Sequence, residues 1–199
     1  MNEISPRRHA VRTTRAAEGL PRWRWTTAEL TRLAELGAFG REDRFELIGG
    51  EIVPMSPRGR RHEVVADELA QYWGPRATSD IKVSTERQFN LDDDTYTNPD
   101  ILIRPAGIKA PDVRGDTVLL VVEVADSSLA YDQTRKAQIY AHYGVREYWV
   151  INANSLETTV HQDPSPTGYA AVEIRPATVP TMPVLAPSLG VRLSELDLD

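Results

Sequence analysis

Thr117-Val-Leu-Leu-Val-Val-Glu-Val-Ala125 is the stretch from which the fold can be worked out. Apolar residues occupy both alternating positions of this run, which is typical of a central strand covered on both faces. Glu123 interrupts the run. Because an unpaired ionised carboxylate in such a strand would cost several kcal/mol, Glu123 must have a cationic partner, a metal ion or a shifted pKa.

Two neighbouring segments offer companions for Glu123. Asp100 lies in Asn98-Pro-Asp-Ile-Leu-Ile103, whose apolar residues predict an adjacent strand. Lys136 ends the segment Tyr131-Asp-Gln-Thr-Arg-Lys136, which belongs to a predicted helix. Two acids and a lysine on adjacent elements are typical of a Mg²⁺ site that hydrolyses phosphodiester bonds.

The composition indicates one globular domain and limits the compartments in which it works. At 199 residues the chain can bury a sizeable core. It has no apolar run long enough to span a membrane, no signal-peptide pattern at its start and no cysteine, so we expect a cytoplasmic protein without a membrane partner. The net charge of −6 argues mildly against nucleic-acid binding over the whole surface, although local charges matter more.

The first 22 residues differ from the rest of the chain. They contain several arginines among small and polar residues and show little hydrophobic periodicity, which predicts a disordered basic tail over residues 1–22. Such a tail is either a solvated leader or an arm that grips phosphates. The folded domain is then expected to span residues 23–199.

Hydrophobic spacing predicts the helices and strands of that domain. Thr26 and Glu29 form a capping-box pattern at the start of one helix, and two further helices are expected at 62–73 and 131–143. A hairpin turns at Gly49-Gly50, and the remaining predicted elements are strands at 81–91, 98–104, 118–124, 147–152, 158–161 and 169–174 and a short last element at 189–196. This order predicts an α/β (α+β) fold in which helices flank a mixed β-sheet.

The helix that carries Lys136 presents further polar groups on the same face. Asp132, Lys136 and Tyr140 recur every four residues. Asp132 is either favoured by the helix dipole at the N-terminus or a second partner of Lys136, and Tyr140 packs with its hydroxyl free to contact phosphate or water. Glu46, in the first strand of the hairpin, is a fourth acidic candidate beside Glu123, or else faces solvent.

A basic cluster in the folded part offers a candidate contact with nucleic acid. Arg58, Arg60, Arg61 and His62 follow one another closely before the second predicted helix. They form either a loop that holds a nucleic-acid backbone, with His62 near the scissile phosphate, or a solvated loop in which His62 starts the helix.

Several segments together resemble a known family, the Uma-type restriction endonucleases of the PD-(D/E)XK nuclease superfamily. The resemblance runs from about Thr26 to the C-terminus. It rests on Phe45-Glu-Leu-Ile-Gly-Gly-Glu-Ile, Asn98-Pro-Asp-Ile, Val122-Glu-Val, Tyr131-Asp, Lys136 and Gly144-Val-Arg-Glu-Tyr-Trp-Val150.

This resemblance implies a restriction-endonuclease-like core and a nuclease site that uses Mg²⁺, for which Mn²⁺ can substitute, to cut DNA. It implies that Asp100, Glu123, the backbone carbonyl of Val124 and Glu46 hold the metal. The superfamily lysine expected two residues after the acid is Ala125 in this chain. The resemblance implies that a lysine on the following helix, Lys136, takes its place.

Other interpretations of the same residues stay open at this stage. The chain could be a catalytically inactive binding or regulatory module that keeps the nuclease fold, or Glu123 and Lys136 could be a buried ion pair without chemistry. A homodimer is compatible with the nuclease hypothesis, because two symmetric sites would cut both strands of a duplex.

Overall fold

The protein is described here by a computed structural model that covers residues 17–40 and 43–198. Its helices are α1 (Thr27–Glu35), α2 (Arg60–Trp73), α3 (Leu129–Tyr131) and α4 (Ala137–His142), and a π-helical turn at Asp132–Lys136 joins α3 to α4. Its strands are β1 (Phe45–Ile48), β2 (Glu51–Pro54), β3 (Ile81–Thr85), β4 (Phe89–Asn90), β5 (Tyr96–Thr97), β6 (Ile101–Pro105), β7 (Leu120–Ala125), β8 (Glu147–Asn152), β9 (Thr158–Ser165) and β10 (Gly168–Arg175).

The strands form two sheets. The larger sheet has six strands in the order β10-β9-β8-β7-β6-β3, and only β7 and β8 in it run parallel. The smaller sheet has the order β2-β1-β5-β4 and is antiparallel. The prediction of a mixed sheet flanked by helices is confirmed, whereas the second sheet was not predicted.

Strand β7 occupies the centre of the larger sheet and is buried along its whole length. On one face Val122 and Val124 pack in the core cluster that contains Leu69 of α2. On the other face Val121 joins the cluster that contains Tyr140 of α4. Covering on both faces is the reason why apolar residues fill both alternating positions of this strand.

Two predicted elements differ from the observed ones. The strand predicted over residues 81–91 is divided between β3 and β4, which belong to different sheets, because Glu86 adopts a positive φ of 50° and turns the chain. The last predicted element, at 189–196, is observed as short 3₁₀ turns at Pro187–Leu189 and Leu193–Glu195 with an isolated β-bridge from Val191 to Thr181 between them.

The N-terminal part of the chain falls largely outside the described residues. Residues 1–16 of the predicted basic tail are among these, so its disorder and the domain boundary at residue 23 stay predictions. Within the described part, Arg22 forms an ion pair with Glu51 at 2.8 Å. The predicted capping box at the start of α1 is confirmed, since Thr26 and Glu29 exchange both hydrogen bonds. The described residues contain no helix long and apolar enough to cross a membrane.

Gly115, in the connection that leads to β7, packs against the backbone just after α4, and this contact can be tested by substitution. A Cβ at this position would lie 2.8 Å from the carbonyl carbon of Tyr143, which follows α4. We expect Gly115→Ala to lower the free energy of unfolding by about 1–3 kcal/mol, because backbone must move to admit the methyl group. Urea denaturation measures the loss.

Gly107 is the matched control, because a Cβ there meets no described atom within 4 Å. Gly107→Ala should leave the free energy of unfolding within about 0.5 kcal/mol of the wild type. Equal stabilities of the two variants would contradict the packing of Gly115 against Tyr143.

Candidate metal and phosphodiester site

Strands β6 and β7 bring the two predicted acidic residues together. Their antiparallel register ends with Ile101 opposite Val122, and Asp100 lies in a bend just before β6. The Asp100 carboxylate accepts a hydrogen bond from the backbone N–H of Val124, the residue after Glu123, at 2.8 Å. The two buried carboxylates therefore belong to one site at the end of the ladder.

Lys136 joins this site from the helical side. Its ammonium nitrogen Nζ lies 2.9 Å from Oε1 of Glu123 and 3.0 Å from Oε1 of Glu46, and all three side chains are buried. Glu46 comes from β1 of the smaller sheet. One lysine thus connects the two sheets and the helix, and the predicted proximity of Lys136 to Glu123 is observed.

Neutral groups hold the two glutamates in place. The Tyr140 hydroxyl donates to Oε1 of Glu123 at 3.0 Å and lies at the same distance from the Thr97 hydroxyl oxygen. The backbone N–H of Asn98 donates to Oε1 of Glu46 at 3.0 Å. The Tyr140 hydroxyl is therefore engaged by Glu123, unlike the free hydroxyl expected from the sequence.

Asp100 has a separate set of partners. Its Oδ2 accepts a hydrogen bond from the Val124 N–H at 2.8 Å and lies 2.9 Å from Nε2 of His62. Its Oδ1 lies 3.1 Å from Nη2 of Arg58, which also forms an ion pair with Glu86. The contacts of Asp100 with Arg58 and His62 were not foreseen from the sequence, because they join segments about 40 residues apart.

A π-helical turn carries Asp132 and Lys136, which are both buried. Its widened hydrogen bond runs from the Ala137 N–H to the Asp132 carbonyl, which also accepts from the Tyr148 hydroxyl at 3.1 Å. The Asp132 carboxylate accepts a hydrogen bond from the Ser128 hydroxyl at 2.5 Å. Such turns are frequent at functional sites because they redirect side chains within a helix.

The two opposed acids have pKa shifts of opposite direction. Burial raises the pKa of Glu123 well above its usual value and outweighs the attraction of Lys136, while the charge of Asp100 raises it further. Burial also acts on Asp100, but the hydrogen bond and charge of His62, together with the Val124 N–H, outweigh it and lower the pKa of Asp100. Burial likewise raises the pKa of Asp132.

These groups line a pocket of about 340 Å³. Its buried acids are Glu46, Asp100, Glu123 and Asp132, and its full positive charges are on Arg58 and Lys136. With these four acids ionised, their charge exceeds that of Arg58 and Lys136, so the pocket carries surplus negative charge that would favour a divalent cation.

The donor atoms of the pocket fit Mg²⁺ or Mn²⁺. Asp100 and Glu123 offer carboxylate oxygens, and Mg²⁺ is usually held by one or two carboxylates with waters completing the octahedron. In a β-strand the N–H and the carbonyl of one residue point to the same side of the strand. Because the Val124 N–H donates to Asp100, the Val124 carbonyl also points toward Asp100, just past the last residue pair of β6 and β7. Among the described residues, no three acids or histidines are arranged as a ready metal-binding group. Arg58 and Lys136 contact the acids of the pocket instead.

The predicted basic cluster does not stay together as one surface. Arg58 and His62 line the pocket and bind Asp100, while Arg60 is exposed at the start of α2. Arg61 points elsewhere, because its guanidinium donates to the carbonyls of Ala153 at 3.1 Å and Leu198 at 3.3 Å. The first turn of α2 thus directs these residues to different surroundings, and their contact with a nucleic acid stays a prediction.

Comparison with solved structures finds a chain of similar fold. The chain is similar to the crystal structure of a putative nuclease belonging to DUF820 from Anabaena variabilis ATCC 29413, with a TM-score of 0.59 and 16% sequence identity. The similarity covers 82% of this chain and 95% of that chain. At this level of identity the likeness shows the fold.

The family follows from the sequence match. The family model Uma2, described as "Putative restriction endonuclease", matches residues 27–194, and the chain belongs to this family. Comparison with curated proteins gives no significant match. The resemblance found in the sequence is confirmed, and the family together with the nuclease-like fold supports a nuclease function.

The ion pairs of Lys136 generate a prediction about stability. Lys136→Met leaves two buried carboxylates without their cation, so we expect the free energy of unfolding to fall by about 3–5 kcal/mol at neutral pH. Lys82, an exposed lysine of β3, is the control, and Lys82→Met should change it by less than about 0.5 kcal/mol. Urea denaturation compares the two.

The Lys136→Met/Glu123→Gln double variant separates the ion pair from simple loss of packing. We expect it to lose less stability than the sum of its two single variants, because the uncompensated charge on residue 123 is absent. Additive losses would contradict direct coupling between Lys136 and Glu123.

Proposed function

We propose that this protein is a Mg²⁺-dependent endonuclease that hydrolyses phosphodiester bonds in DNA. The observation that carries the proposal is the position of two buried carboxylates at the end of the β6–β7 ladder: Asp100 accepts from the Val124 N–H at 2.8 Å, and Glu123 lies 2.9 Å from the Lys136 ammonium. Family membership and the nuclease-like fold support the reaction class. Metal dependence and the DNA substrate are tested by cleavage assays and metal titration.

Asp100, Glu123 and the Val124 carbonyl would hold the metal, and Glu46 would assist from β1. Mg²⁺ or Mn²⁺ bound there would supply Lewis acidity for a water molecule and balance charge on the phosphate. The Val124 N–H and His62 orient Asp100, while Tyr140 orients Glu123. These partners reduce the freedom of the ligand side chains before any ion binds.

Lys136 would supply the positive charge that the superfamily lysine provides from the strand. Ala125 occupies that strand position and has no amine. Lys136 reaches Glu123 from the π-helical turn, so its ammonium can orient water or offset charge that develops on the phosphate. The surrounding charges of Glu123 and Glu46 keep the pKa of Lys136 well above its usual value despite burial, so the side chain stays cationic.

The entrance of the pocket has groups that suit a phosphate backbone. Arg58 and Gly59 line it beside the first turn of α2, where free backbone N–H groups favour anions. Arg60 is exposed in the same turn. We propose that this end of α2 holds the substrate next to Asp100. When the metal binds, the Arg58 guanidinium would leave Asp100 and pair with a phosphate of the substrate.

Substitution of the two opposed acids tests the enzyme hypothesis. We expect Asp100→Asn and Glu123→Gln each to reduce Mg²⁺-dependent cleavage of plasmid and linear duplex DNA at least about 100-fold, because each removes a charged ligand. Cleavage is followed on gels with Mg²⁺, with Mn²⁺ and with a chelator. Circular dichroism establishes that the variants stay folded.

Asp67→Asn is the matched control, because Asp67 is an exposed acid on α2 outside the pocket. It should cleave like the wild type. Wild-type levels of cleavage by folded Asp100→Asn and Glu123→Gln proteins would refute the assignment of the site.

A catalytically inactive binding module is the second candidate, and the presence of Ala125 in place of the strand lysine favours it. Thermal unfolding with increasing Mg²⁺ or Mn²⁺ separates the candidates from a purely structural ion pair. We expect stabilisation that grows with the logarithm of the metal concentration and reaches about 2.7 kcal/mol at one hundred times the dissociation constant, and we expect Glu123→Gln to abolish it. Stabilisation without cleavage of any DNA would favour the inactive module, and absence of both would leave only the structural ion pair.

A further inference from the structure

The charged groups of the pocket lie deep, and this limits the form of nucleic acid that can reach them. Asp100, Glu123 and Lys136 are each 5% exposed, so a phosphate meets them only by entering the pocket. The pocket volume of about 340 Å³ has room for roughly eleven water molecules. Such a volume accepts a single nucleotide but not a duplex, which is paired and stiff over many base pairs.

Exposed residues from two segments complete the lining of the pocket. Ser56 and Pro57 come from the loop after β2, and Tyr131 ends α3. Tyr131 is 38% exposed. Burial and the charge of Glu46 raise the pKa of the Tyr131 hydroxyl, so this side chain is uncharged at neutral pH. An exposed aromatic ring beside a phosphate site is a platform on which an unpaired base can stack.

A row of exposed side chains continues from Tyr131 along the helical stretch that carries Lys136. Arg135, Gln138 and His142 follow Tyr131 at intervals of three or four residues, which sets them on one side of the helix. All three line a second cavity of about 440 Å³. The row therefore connects the pocket to a second recess on the protein surface.

Arg135 supplies a positive charge that is available to a ligand on this row. None of the ion pairs within residues 17–40 and 43–198 involves Arg135, whereas the neighbouring Lys136 contacts two acids. Burial raises the pKa of Tyr131 and the charge of Arg135 acts in the opposite direction, which means that the guanidinium lies near the tyrosine. From Arg135 to His142 the helix rises about 10 Å, enough to follow more than one phosphate.

We propose that the substrate is a single strand of DNA, with one nucleotide in the pocket, its base stacked on Tyr131, and the following phosphates running along the row past Arg135. This inference rests on the proposed nuclease function and deepens it by naming the form of the substrate. A single strand bends freely into the pocket. A duplex must first unpair and unstack, which costs free energy.

Binding of a labelled single strand of about 12 nucleotides, compared with the duplex that it forms with its complement, tests the preference directly. Fluorescence anisotropy with the full-length protein, and with Ca²⁺ in place of Mg²⁺, gives both dissociation constants without cleavage. We expect the single strand to bind at least about tenfold more tightly. A duplex that binds equally well or better would overturn the proposal, and so would the absence of binding to either form.

Cleavage of the same two molecules with Mg²⁺ separates this proposal from the nuclease function on which it rests. We expect the single strand to be cut faster. Equal cleavage of both forms would overturn the single-strand preference and leave the nuclease function intact. Tight binding of the single strand without any cleavage would refute the nuclease function and leave the binding site intact.

Substitution of Tyr131 tests the stacking platform. Tyr131→Ala removes the ring, so we expect the dissociation constant for the single strand to rise about fivefold to a hundredfold. Tyr131→Phe keeps the stacking surface and should bind at least about fivefold more tightly than Tyr131→Ala. Trp23→Ala is the control and should bind like the wild type, because Trp23 is 71% exposed but does not line the pocket. Wild-type binding by Tyr131→Ala would overturn the assignment.

The salt dependence of binding tests the path along the row. Each phosphate contact with a single strand contributes about 0.7 to the steepness with which the logarithm of the association constant falls with the logarithm of salt concentration. We expect Arg135→Gln to reduce this steepness by about 0.7. Arg32→Gln, at an exposed arginine of α1, should leave it unchanged. An unchanged salt dependence in Arg135→Gln would overturn the proposed path.

Discussion

The buried ammonium of Lys136 between Glu46 and Glu123 is the interaction on which the arrangement of the site depends. Glu46 belongs to the small sheet, Glu123 to the centre of the large sheet, and Lys136 to the turn between α3 and α4. None of the three charges could be buried alone without a cost of several kcal/mol. Their mutual pairing therefore determines how the two sheets and the helix meet, and it places the helix over the end of β7.

The same pairing leaves the site electrostatically unbalanced, which is what a metal site requires. Asp100 is kept ionised by His62 and the Val124 N–H, which lower its pKa, whereas burial raises the pKa of Glu123 well above its usual value. Two carboxyl groups with pKa values shifted in opposite directions indicate a site arranged for chemistry. A divalent cation would offset the burial and the neighbouring negative charges that make ionisation of Glu123 unfavourable.

The sequence allowed prediction of those parts of the site that depend on local patterns. The apolar run around Glu123 predicted the central strand. The four-residue spacing of Asp132, Lys136 and Tyr140 predicted that Lys136 lies on one helix face within reach of Glu123. The contacts of Arg58 and His62 with Asp100 could not be derived, because no periodicity relates α2 to β6. The second sheet was missed for a similar reason: β4 and β5 have two residues each, and only the positive φ of Glu86 separates β4 from β3.

The proposed reaction depends on the binding of one divalent cation by Asp100, Glu123 and the Val124 carbonyl. Anomalous X-ray scattering from crystals grown with Mn²⁺ tests this binding, with Glu123→Gln crystals measured beside the wild type. We expect a single anomalous peak in the wild type within about 2.0–2.4 Å of an oxygen of each residue, and none in the variant. Wild-type crystals with saturating Mn²⁺ but no peak there, and with Lys136 still bridging Glu46 and Glu123, would contradict it.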